Sequence, residues 1–213
     1  PPDRRKVLRI DSPGVTADAD VLYRRHEFRL HFEEELMERR LDVPLPSVPL
    51  PPAVELASWN AETISQFYAA YTASFHERPG FPGWSQDEWV EWVSADEDFR
   101  PDASYVAISQ GQPAGFIATG VGFLPGAGEG CAGWITQVGT VPAWRGRGLG
   151  AALIVYVMRQ LRLESLNRVA LFVNANNPAA STLYRRLGFE TITRRSTYHK
   201  QVESAPQPKV VPP

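Results

Sequence analysis

Residues 138–151, Val-Gly-Thr-Val-Pro-Ala-Trp-Arg-Gly-Arg-Gly-Leu-Gly-Ala, limit what this chain can fold into more than any other stretch. A strand-like run stops at Pro142, a basic turn places three glycines within five residues, and an apolar helix-forming sequence starts at Leu149. Strand, tight turn and helix must therefore succeed one another, and the missing Cβ atoms let a ligand approach the turn's backbone. Successive N–H groups at a helix start, together with the positive end of its dipole, suit phosphate oxygens. Arg145 and Arg147 add positive charge. Two other phosphate loops fit less well. No G-x-x-x-x-G-K-[ST] string exists. Gly146, Gly148 and Ala151 meet G-x-G-x-x-G/A, but about 20 residues later, where that loop needs an acidic group, the chain reads Leu171-Phe172-Val173-Asn174. Arg-x-x-Gly-x-Gly, from Arg145 through Gly148 to Gly150, describes the segment better.

Around this segment the chain divides by composition. Residues 41–52 hold five prolines in twelve positions and read as an extended, semi-rigid linker. The tail 203–213 is also Pro-rich and is expected to be disordered. Between them, 53–202 is of single-domain length. Its expected elements are a strand at 54–56, a helix over Ile64, Phe67, Tyr68 and Tyr71 capped by Asn60, and a second helix opened by the Ser85/Glu88 capping-box pattern. Strands follow at 104–108 and 114–121, with Gly111-Gln112 as a hairpin turn, and at 134–141. The helix 149–163 is apolar on most faces and should be buried. A strand at 169–173, a helix at 178–187 and at most two short strands in 189–202 complete a mixed α/β (α+β) sheet domain.

Composition then excludes several classes. With 43% apolar and 22% charged residues and a net charge of −2, the chain is neither disordered nor marked for a nucleic-acid partner. No apolar run nears the ~20 residues that cross a bilayer. The single cysteine, Cys131, cannot form an internal disulfide, which points to the reducing cytoplasm. The chain opens on Pro1-Pro2 rather than Met, as a trimmed fragment would.

The first forty residues echo the end of the domain. Leu22-Tyr23-Arg24-Arg25-His26-Glu27-Phe28 matches Leu183-Tyr184-Arg185-Arg186-Leu187-Gly188-Phe189 at five of seven positions, at an offset of 161. Val7-Leu8-Arg9-Ile10 aligns with Val169-Ala170-Leu171-Phe172 if one residue is inserted. Residues 1–40 thus read as the last strand–helix–strand of a degenerate second copy.

The Pro-x-x-Arg-Gly-Arg-Gly-Leu-Gly loop resembles the acetyl-CoA diphosphate loop of the GNAT N-acetyltransferase superfamily. Asn174-Ala175-Asn176-Asn177-Pro178-Ala179-Ala180-Ser181-Thr182-Leu183-Tyr184-Arg185-Arg186-Leu187-Gly188-Phe189 is similar to that family's second signature, N-x-x-A-x-x-L-Y-x-x-x-G-F, at the expected distance. The chain looks most like the tandem, mycothiol synthase-like subgroup, in which a Pro-rich linker joins two such domains and the carboxy-terminal one is active. The likeness implies a GNAT fold, a mostly antiparallel mixed sheet splayed at its central strands and flanked by helices.

It also implies transfer of an acetyl group from acetyl-CoA to a primary amine by direct attack in a ternary complex, with no metal. Val138, Gly139 and Thr140 would face the thioester with a backbone N–H. Arg145, Gly146, Arg147, Gly148, Leu149 and Gly150 would hold the diphosphate, and Asn177 the pantetheine arm. Tyr184 would contact the cofactor and protonate the leaving thiolate. The base is not evident. Relatives carry a glutamate where this chain has Trp134, and Ile135, Thr136 and Gln137 offer no carboxylate. Gln137 or Thr136 ordering a water, Glu129, and the trio His76-Glu77-Arg78 are the candidates, with the water relay and Glu129 preferred. Phe75, Phe81, Trp84, Trp89 and Trp92 give the acceptor side an aromatic character, although Trp89 and Trp92 read first as core. Asp96-Glu97-Asp98 reads as a solvated helix end. A small-molecule amine is favoured as acceptor, with a protein amine or a non-catalytic CoA-binding module as rivals, and a homodimer is compatible with all three.

Overall fold

The computed structural model describes residues 5–78, 80–124 and 130–203. Strands β1 (Arg5–Pro13), β2 (Arg29–Arg40), β3 (Glu55–Ser58), β4 (Tyr105–Ser109), β5 (Gln112–Phe123), β6 (Cys131–Thr140), β7 (Arg168–Asn174) and β8 (Glu190–Glu203) alternate with helices. The helices are α1 (Ala17–Arg25), α2 (Ile64–Phe75), α3 (Gln86–Ser94), α4 (Leu149–Leu163) and α5 (Pro178–Arg186). All eight strands form one sheet in the order β1-β8-β2-β7-β6-β5-β4-β3. Only the short β6–β7 contact among the named neighbours is parallel.

Helix α4 lies on one face. Leu153, Ile154, Val157, Met158 and Leu161 form its core with Ile117, Leu171 and Val173 of the sheet and with Met37 of β2. On the other face α2 and α3 cover β4 to β6 through Phe67, Tyr71, Trp89 and Val93 against Val106 and Phe116. The starts of the first two domain helices differ in their capping chemistry. Ser85 and Glu88 form the full reciprocal capping box of α3. Asn60 caps the turn before α2 instead of the helix itself, its Oδ1 accepting from the N–H groups of Glu62 and Thr63. The prolines of 41–52 form a strap, not a free spacer. Leu41 is fully buried, Leu45, Val48 and Leu50 pack on the core, and Arg159 of α4 donates to the Pro46 carbonyl.

The amino-terminal residues enter the same sheet, and they do so with a local two-fold symmetry. β1 and β2 run parallel on either side of β8, while β7 and β8 run parallel on either side of β2. Each strand–helix–strand unit leaves a one-strand gap that the other unit's second strand fills. The offset of 161 carries Arg9↔His199 onto Glu38↔Ala170, and Leu30↔Tyr198 onto Met37↔Thr191. It also carries the bulge at His31 onto the bulge at Ile192, so the axis passes between Glu34 and Arg195. The inserted residue of the sequence alignment is not used: register holds at 161 through β1. The caps repeat as well. Thr16 accepts from the Ala19 N–H as Asn177 does from Ala180, and Glu27 (φ 65) stands where Gly188 has φ 84.

The segment 189–202, expected as two short strands at most, is instead a single 14-residue strand. It stays continuous because β1 and β2, from the other end of the chain, pair with both of its edges. Trp92 departs from expectation too: it is 52% exposed, resting on Trp84, while Trp89 is fully buried. Glu35 of β2, 6% exposed, accepts from Arg185 of α5 at 2.8 Å, from Arg194 at 3.0 Å and from Thr191 at 3.2 Å. Charge-assisted bonds of this kind contribute more than neutral ones, so Glu35→Ala should cost about 2 kcal/mol of unfolding free energy. A lowered urea midpoint with faster amide exchange in α5 is the expected readout; an unchanged midpoint would show that the two arginines are merely solvated.

Candidate active site

The site begins where the sheet parts. β6 pairs with β7 only from Gly133 to Ile135. Just beyond, Ala118↔Gln137 and Thr119↔Ile135 leave Thr136 as an extra residue, a β-bulge. From the bulge onward β6 keeps β5 and leaves β7, so one backbone edge is unpaired. The Val141 N–H donates to Ala114 on the β5 side. Backbone groups alternate along a strand, so the N–H groups of Val138 and Thr140 face the gap.

Downstream, the start of α4 stands open. Thr16, Ser85 and Asn177 cap their helices with side chains, but Gly148, at the N-cap of α4, supplies none. The first intrahelical bond runs from Ala152 N–H to Gly148 C=O. The N–H groups of Leu149, Gly150 and Ala151 therefore lack intrahelical acceptors. Gly146 (φ 75) and Gly148 (φ 80) have left-handed backbone, and a Cβ on either would meet nothing within 4 Å. An exposed cradle of uncapped N–H groups without side-chain obstruction fits a diphosphate. The two arginines are engaged with protein groups. Arg145 donates to the carbonyls of Ser74 at 3.2 Å and Thr140 at 3.4 Å, with Glu77 3.9 Å away. The Arg147 guanidinium lies 5.0 Å over the Trp144 ring.

Tyr184, on α5, is 8% exposed and packs against Phe189. Burial pushes its phenol up to about 12, with the Arg78 guanidinium pulling the other way. Asn177 accepts from the Ala180 N–H through Oδ1 at 3.2 Å, which leaves its NH2 group to donate elsewhere.

The base candidates separate. The Thr136 hydroxyl donates its proton to the Ala118 carbonyl at 3.1 Å and keeps only its acceptor capacity for a water. The Gln137 Oε1 is buried without a hydrogen-bond partner among the described residues. Glu129 lies outside the described residues. His76 and Glu77 are exposed at the end of α2. Trp134 stacks on Phe172 at 5.6 Å. Asp96, Glu97 and Asp98 are exposed just past the end of α3.

Sequence reasoning did not single out Ser74. It sits on α2, 8% exposed, with its hydroxyl unpartnered among the described residues. A Cβ on Gly139 would come within 2.8 Å of the Ser74 Oγ and 2.7 Å of Phe116, so only glycine lets α2 close on β6 here. The readable signal was a hydroxyl on the Phe67, Tyr71, Ser74 stripe of an otherwise apolar helix face.

No helix among the described residues is long and apolar enough to cross a membrane. Residues 64–189 match the acetyltransferase (GNAT) family. A mycothiol acetyltransferase of Rhodococcus erythropolis is 33% identical over 159 residues, covering 72% of this chain and 52% of that protein. One from Salinispora arenicola is 32% identical over 201 residues, covering 89% and 61%. The chain thus spans about half to three-fifths of the length of these curated relatives. A GCN5-related N-acetyltransferase from Sphaerobacter thermophilus superposes with a TM-score of 0.78 at 22% identity, covering 96% of this chain and 62% of that one.

Proposed function

The chain belongs to the GNAT acetyltransferase family, and on that footing we propose that it transfers an acetyl group from acetyl-CoA to the primary amine of a small molecule. The observation that carries this reading is the pairing of two open backbone edges: the unpaired stretch of β6 beyond the bulge and the uncapped start of α4. Acetyl-CoA, when bound, supplies an activated acetyl thioester. The N–H groups of Leu149, Gly150 and Ala151, with the glycines before them, bind its diphosphate, and Asn177 donates to the pantetheine arm. The Val138 and Thr140 N–H groups are fixed in advance toward the place where negative charge develops on the carbonyl oxygen. Tyr184 stays protonated at neutral pH and hands its proton to the departing sulfur. Gln137 orders a water on the acceptor side.

Two things support a small acceptor. The curated relatives carry the name mycothiol acetyltransferase, and the wall above the sheet is aromatic, with Tyr71, Phe75 and Phe81 in contact. The local two-fold axis supports reading residues 1–40 as the end of a degenerate second copy, which lacks Asn177 and Gly188 equivalents suited to a cofactor. The lone, exposed Cys131 supports a cytoplasmic setting. The direct test is thiol release from acetyl-CoA by the purified protein across a panel of amines. Release that depends on one amine class supports the proposal; calorimetric binding of CoA with no turnover on any amine would make the chain a binding module.

A further inference from the structure

Two buried side-chain oxygens near the parted strands lack partners among the described residues: the hydroxyl of buried Ser74 and the Oε1 of half-buried Gln137. They share one face of β6. Ser74 presses on Gly139, and Gln137, two residues earlier, projects to the same side. Buried polar atoms without protein partners are commonly satisfied by an internal water. One hydroxyl that can donate and one amide oxygen that can only accept are complementary to a single water between them. The same residue ties this spot to the cofactor loop, since the Ser74 carbonyl accepts from Arg145.

We propose that Ser74 and Gln137 hold an internal water that relays a proton from the acceptor ammonium to solvent, in place of a carboxylate base. This deepens the acetyltransferase reading and rests on it. An ammonium that becomes an amide N–H gives up two protons per turnover. One replaces the proton that Tyr184 passes to sulfur, and the other leaves through the Ser74–Gln137 water. Among the described residues, the titratable groups on α2 and the loops beside it are Tyr71, Arg145, and His76, Glu77 and Arg78 past the helix end. Glu77 is the only carboxylate among them, and it is 67% exposed.

A pH series separates this role from a structural one. Ser74→Ala and Gln137→Leu should each lower kcat/KM for the amine about tenfold to a hundredfold below the amine's own pKa. Both should converge on wild type above it, where the free amine needs no relay. Acetyl-CoA affinity should be unchanged. Gln137→Glu placed in the Ser74→Ala background should restore the neutral-pH rate by supplying a base directly. A crystal structure of the wild-type protein should show a water bonded to both side chains. Equal losses at every pH, no loss at all, a loss reproduced by Glu77→Gln, or a dry direct Ser74–Gln137 contact would each overturn the relay. Those outcomes concern an active wild type; a wild type that turns over no amine overturns the acetyltransferase reading itself.

Discussion

Gly148→Glu is expected to weaken acetyl-CoA binding at least a hundredfold, a loss of ~2.7 kcal/mol in binding free energy. The effect is local and double. Gly148 sits at φ 80, and a side chain built on it enters space with no heavy atom within 4 Å, directly before the uncapped start of α4. A glutamate there puts a carboxylate beside the N–H groups of Leu149 to Ala151, where it caps the helix itself and repels the diphosphate. The left-handed backbone adds about 1 kcal/mol of folding strain for any L side chain. Gly148→Ala carries that strain without the charge, so comparing the two by calorimetry isolates the electrostatic part. If the glutamate variant binds acetyl-CoA as wild type does, the diphosphate lies elsewhere.

The features that the sequence made legible are local ones. The turn from Pro142 to Gly150 reads correctly because φ > 0 at Gly146 and Gly148 needs residues without a Cβ, and the helix behind it needs a continuous apolar face. The capping box at Ser85 reads for a similar reason, as it is a bond between residues three apart. The bulge at Thr136 and the parting of β6 from β7 were accessible only through family resemblance. No residue type in Trp134-Ile135-Thr136-Gln137 demands them, and they follow from what the neighbouring strands pair with.

Pairing across the chain was the main thing hidden. The slot beside β7 is filled by β2, 130 residues away in sequence at the Glu38–Arg168 ion pair, as that pair and the register show. The echo of Leu-Tyr-Arg-Arg announced a repeated helix, but not that the two units interlock. Glu33-Glu34-Glu35 carries no motif that marks a partner. It is the complement of Arg194 and Arg195 across the local axis, and Glu35 reaches through to Arg185, next to Tyr184. Arg145 illustrates the same limit at the site, because its partner on α2, Ser74, lies 71 residues away. Charge and spacing placed it in the loop; only the fold shows the direction it takes.

Tyr184→Phe should lower kcat by about a hundredfold or more, the usual contribution of a positioned general acid, while acetyl-CoA affinity and the fold persist. Phenylalanine retains the ring that packs against Phe189 in this nearly closed site. What is lost is one proton at the departing sulfur. Because burial raises the phenol to about 12, Tyr184 remains protonated across the pH range of any ordinary assay. An alkaline limb below about pH 10 in the wild-type profile therefore belongs to another group and should persist in the variant. The stability linkage has the same sign. A phenol raised from its usual value near 10 favours the folded state fully below pH 10, and that contribution disappears as pH climbs through about 12. Phenylalanine removes this dependence, so wild type should lose more unfolding free energy than the variant between those limits. Single-turnover measurement of thiol release separates the chemical step from product release. A kcat equal to wild type would leave Tyr184 as a packing residue of α5 and would require water to protonate the thiolate.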